Sequence, residues 1–126
     1  MTDDELLTHF QAGHLQEFPH ERHVRVAWVL SQRYGPEEAL VRMRDGIRAL
    51  AEHAGQPGKY HETITRAWLA LVADVEDIDA HPELMDKRLL AGFYSPDRLA
   101  QGRERWLEPD LQPLRLPDGR PALDRA

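Results

Sequence analysis

The sequence predicts an all-α fold: a compact bundle of five or six helices followed by an extended Pro-rich C-terminal tail. Three observations lead there. Apolar residues recur at helical spacing along nearly the whole chain, and no alternating run of β-branched residues bounded by turns reads as a strand. Start and stop signals also cut the pattern into segments of ordinary helix length. With 126 residues the chain fits one domain, predicted as a helical unit over 1–107 and a tail over 108–126.

Each segment has its own signals. Thr2 followed by Asp3, Asp4 and Glu5 offers a capping side chain and acids at the positive end of a helix dipole, with Gly13 as a stop, so the first helix is expected over about 3–12. Pro19 opens a second, about 19–33, carrying Val24, Ala27, Trp28 and Leu30 until Tyr34-Gly35. Pro36-Glu37-Glu38 starts a third, about 36–54, whose apolar set is Leu40, Met43, Ile47, Leu50 and Ala51. After the GQPG break a fourth is expected over about 59–78, with Ile64, Trp68, Leu71 and Val75 on one stripe. Pro82 opens a fifth, about 82–91, and Ser95-Pro96-Asp97 a sixth, about 96–106. Four prolines beyond residue 107 read as an extended tail.

Composition narrows the function. With 16 Lys and Arg against 22 Asp and Glu, a net charge of −6 argues against a broad phosphate-binding surface, so no nucleic-acid partner is expected. The absence of cysteine excludes disulfides, iron–sulfur clusters, thiolate zinc sites and Cys nucleophiles. The opening MTDDELLTHF is acidic where a signal peptide would be basic, and no apolar run approaches the roughly 20 residues of a membrane span. A cytoplasmic protein without a membrane partner is the expectation.

The seven histidines carry the chemistry. At about 100° per residue, His23 falls in the middle of the second helix's apolar arc, and His20 lies beside Val24. His61 projects close to the Ile64–Trp68–Leu71–Val75 stripe, with Glu62 at its edge and Arg66 one turn on. Short connections make successive helices antiparallel, so His20, His23 and His61 should share one end of the bundle, joined there by Tyr94. Two histidines at i and i+3 and a third from a facing helix have the form of a catalytic metal site, for Zn²⁺, Fe²⁺, Mn²⁺ or Ni²⁺. Glu62 would act as ligand or general base and Tyr94 as proton donor to a small polar substrate. An HxxH pair is expected by chance roughly 0.4 times in such a composition, so the competing expectation is a buried, hydrogen-bonded histidine network. His9, His14, His53 and His81, and the arginine faces holding Arg42, Arg44 and Arg48, read as solvated surface.

The segments FPHERHVRVAW (18–28), KYHETITRAWL (59–69), FYSPDRL (93–99) and EPDLQPL (108–114) resemble a family of small bacterial helical proteins with FPHxxH, KYHET and FYSP motifs. The resemblance runs from Phe18 to Leu114 and brings no activity with it. Two functions follow from the residues: a small metal-dependent enzyme, or a non-catalytic helical module that binds a small ligand or partner.

Overall fold

The computed structural model describes residues 1–114, and these form an all-α fold with no strand among the described residues. Helix α1 (Asp3–Gln11) begins with a full capping box: Thr2 Oγ1 accepts from Glu5 N–H, and the Glu5 carboxylate accepts from Thr2 N–H. Its buried face is Leu6, Leu7 and Phe10. A turn with Gly13 at φ 73° follows, a conformation that favours glycine.

The second and third expected helices form one helical stretch, α2 (His20–His53), broken at Gly35, where φ is 81° and ψ 168°. His23 and Ile47 line the same cleft, yet a straight helix of that register would hold them about 36 Å apart at 1.5 Å per residue. The two arms of α2 therefore fold back on each other about Gly35-Pro36. Proline enters the second arm at its first turn, where its missing N–H is no loss. Helix α3 (Glu62–Val72) packs in this hairpin with an almost wholly buried sequence, from Thr63 through Ala67, Trp68 and Leu71 to Val72. The indole N–H of Trp28 and the amide of Gln32 both donate to Val75 O and tie the end of this segment to the first arm. Arg25 on that arm spans Asp3 of α1 and Asp79.

Three differences from the expected elements bear on the site. The fourth helix runs over Glu62–Val72 rather than about 59–78, because Pro57–Lys59 forms a separate 3-10 turn, Tyr60 stays extended and Ile78 belongs to another 3-10 turn. The fifth is not an α-helix but two 3-10 turns, Pro82–Met85 and Lys87–Gly92, parted at Asp86, whose side chain accepts from Arg88 N–H. The sixth, α4 (Pro96–Gln101), is capped by Ser95 as expected but ends at Gly102, which packs against Thr63.

The chain beyond α4 lies on the domain. Tyr94 Oη donates to Leu107 O, Leu111 N–H to Phe93 O, and Ser95 bonds Asp110 through both its backbone N–H and its hydroxyl, while Leu114 is buried. The rest of the expected tail, 115–126, falls outside the described residues.

Candidate functional site

Two clefts meet at the end of the bundle where His20, His23 and His61 were expected. The larger, of about 630 Å³, runs between the Gly13–Phe18 loop, the second arm of α2 and the start of α3; Leu15, Phe18, Ile47, Leu50 and Ile64 give it apolar walls. His14, His23, His53, His61 and Lys59 supply polar groups, with Gln16, Gln56 and Thr65. The smaller, of about 450 Å³, is walled by Phe18, His20, His23, Trp68 and Tyr94, with Lys87 beside them. Phe18, His23 and Ile64 belong to both.

His20 and His23 are brought together, with ring centroids 6.4 Å apart and planes at 84°. His20 stands edge-on to Trp68 at 4.4 Å, and its Nε2 donates to Leu84 O at 3.0 Å. A carbonyl can only accept, so that nitrogen carries the proton. His23 lies against Phe18 at 5.7 Å, and its Nε2 is buried with no hydrogen-bond partner among the described residues. Burial, helped by the neighbouring His20, pushes the His23 pKa down to about 4, so the ring is neutral near pH 7. Burial also lowers His20, against the opposing pull of its Leu84 hydrogen bond.

His61 is used differently from the expectation. Because α3 starts at Glu62, His61 is its N-cap: Nδ1 accepts from Ile64 N–H at 3.2 Å, and Nε2 donates to Leu99 O at 2.7 Å. Both nitrogens are committed. Burial lowers this imidazole as well, which favours the neutral form that capping needs. No group of three or more His, Asp or Glu among the described residues is arranged to hold a metal ion.

Glu62 and Tyr94 are engaged in the frame. The Glu62 carboxylate takes two hydrogen bonds from the Arg44 guanidinium, at 3.1 and 2.6 Å, and one from Tyr60 Oη at 2.5 Å. Burial would raise this carboxyl, but the Arg44 and Tyr60 hydrogen bonds outweigh it and hold it below its usual value. Burial, with the Glu62 bond second, pushes Tyr60 up to about 12. Arg66, expected to orient Glu62, instead covers the Trp106 ring at 4.9 Å. Tyr94 lines the smaller cleft, but its hydroxyl proton goes to Leu107 O, and burial raises its pKa.

Sequence reasoning missed Arg44, read as solvated surface, and Lys59, His14 and His53 as cleft residues. Arg44 was beyond reach, since nothing local links it to Glu62. Lys59 stood within the KYHET segment already singled out. No acidic side chain among the described residues lines either cleft, in a chain with 22 acids, and neither Lys59 nor Lys87 has an ion-pair partner among them. No protein-family model, curated protein or solved structure matches the chain, so the site is read from its own geometry.

Proposed function

We propose that the protein is a non-catalytic helical module that binds a small organic anion with an apolar body in the larger cleft. The observation that carries this reading is that no acid among the described residues lines the cleft, in a chain of net charge −6. Apolar walls with a few polar groups and Lys59, which has no ion-pair partner among the described residues, suit a carboxylate whose body is desolvated against Phe18, Ile47 and Ile64 while its head faces Lys59. Titration calorimetry with phenylacetate and its uncharged analogue 2-phenylethanol tests it. Phenylacetate should bind at least about threefold more tightly, a margin that shrinks with salt and disappears in Lys59→Gln. Equal binding of the two, or none, overturns the reading.

A second reading is favoured by the unpartnered Nε2 of His23 beside His20. It is a small metal-dependent enzyme acting on a small polar substrate, with His20, His23 and His61 on a divalent transition ion and Glu62 and Tyr94 as catalytic groups. It requires His61 to give up either its cap or Leu99. Its test is a melting temperature that falls on chelation and returns with Zn²⁺, Fe²⁺, Mn²⁺ or Ni²⁺.

A further inference from the structure

Four of the seven histidines line the larger cleft, and they fall into two kinds. Burial holds His23 and His61 toward the neutral form. His14, in the loop after α1, and His53, the last residue of α2, are exposed, and neither forms an ion pair among the described residues. The two meet on one wall: a Cβ on Gly13 would stand 3.4 Å from His53 Nε2, so that ring rests against the residue preceding His14. Other charged groups around the pair are few. Lys59 lines the same cleft, and Glu52, which precedes His53, is exposed and unpaired among the described residues. On its other side His14 borders a separate hollow of about 260 Å³ with Met1, His9, Glu17 and Arg22.

We infer that His14 and His53 form a second anion anchor in the larger cleft, made by protonation, so that the cleft holds a carboxylate more tightly as pH falls. The inference rests on the reading of this cleft as an anion site and adds its regulation. A solvated imidazole gains its charge between about pH 8 and pH 5, and no acid among the described residues lines the cleft to neutralise it. The ligand keeps its own charge over that range, since a carboxylate takes up a proton only near about pH 4. Positive charge in the cleft favours the bound anion, and by linkage the bound anion favours protonation of the two rings to the same degree. Lys59 is the cation of the cleft at pH 8; acidification adds up to two more. The effect does not depend on which ring nitrogen carries the proton in the neutral form, because both carry one in the cation.

Titration calorimetry of the full chain at about pH 8 and about pH 5.5 compares phenylacetate with uncharged 2-phenylethanol. The ratio of their affinities, from which any change in the folded fraction cancels, should rise about fivefold on acidification, the size expected of two solvent-exposed charges. Near about pH 6.5 phenylacetate should take up protons as it binds, seen as a heat that varies with the ionisation enthalpy of the buffer. The double variant His14→Gln, His53→Gln should abolish both the rise and the uptake, whereas Lys59→Gln should leave the rise in place. The proton uptake, read on the unaltered protein, decides the matter should the double variant fail to fold. A ratio equal at the two pH values, no proton uptake, or a rise that survives the double variant overturns the inference. A preference at pH 8 that Lys59→Gln removes, without a rise on acidification, sinks this inference alone; a rise carried by the two histidines with no preference at pH 8 sinks the role of Lys59 alone.

Discussion

His61 and Leu99 are joined by a 2.7 Å hydrogen bond from the imidazole to the carbonyl, while the other nitrogen of that ring caps α3 at Ile64. One side chain therefore closes the start of α3 and ties it to α4. His61→Ala should lower the unfolding free energy by about 1–2 kcal/mol, read from the urea midpoint, since it leaves Ile64 N–H without its cap, while Leu99 O keeps its bond from Gly102 N–H. His61→Asn keeps a capping acceptor and should recover about 1 kcal/mol of it. Chelator should leave the wild-type midpoint unchanged; a fall on chelation as large as that of His61→Ala would favour the metal reading instead.

Glu62, a residue only 7% exposed, fastens the start of α3 to the second arm of α2 through its carboxylate and Arg44. Glu62→Gln keeps shape but removes the charge facing a partly screened guanidinium, and should cost about 1–3 kcal/mol. Tyr60→Phe should cost about 1 kcal/mol, because Arg44 still satisfies the carboxylate. In an ultraviolet titration of the folded protein Tyr60 should ionise only near pH 12, with Tyr94 delayed as well, and Tyr60→Phe should remove one of the two late steps. Loss of ligand binding in Glu62→Gln with unchanged stability would show that the carboxylate serves the site and not the frame.

Local signals carried the fold and non-local ones the site. Thr2, Gly35-Pro36 and Ser95-Pro96 act through the backbone groups next to them, so the boundaries they set are readable along the chain. The start of α3 was misjudged by about one turn. That small shift changes the role of His61, because a residue expected on an apolar stripe becomes a cap once the first helical residue is Glu62. The 82–91 segment has the apolar spacing of a helix, but Asp86 captures Arg88 N–H and stops the turn from propagating. His20, His23 and Tyr94 line one cleft, although the 82–91 segment that leads to Tyr94 is not the helix whose direction was to bring it there. The Arg44–Glu62 pair, 18 residues apart, depended on how the connection over 54–61 returns α3 to the second arm of α2, which no periodicity encodes.

Gly46 lies against the Phe10 ring, and a Cβ there would stand 2.2 Å from Phe10 Cζ. Phe10 is fully buried and stacked on Phe18 at 5.2 Å, so it has nowhere to go. Gly46→Ala should therefore destabilise by about 1–3 kcal/mol, although alanine is the better helix former by up to about 1 kcal/mol. Because Phe18 walls the larger cleft, the same variant should also weaken phenylacetate binding. A neutral or stabilising Gly46→Ala would mean that α1 shifts freely on α2.

Acid should unfold the protein through its buried imidazoles, His23 foremost. Its pKa is near 4 in the folded protein, against an ordinary value of 6.5 when unfolded, so the unfolded chain binds more protons between those limits. The contribution of neutral His23 is complete above about pH 6.5 and is lost as pH falls toward 4. His20 and His61 are shifted the same way and add to the slope. Urea midpoints measured from pH 7 to pH 4.5 should fall steadily. His23→Phe should flatten that fall and be about 1 kcal/mol more stable at pH 7, having lost the unsatisfied nitrogen. Parallel midpoint curves for the two proteins would show that His23 is already solvated in the native state.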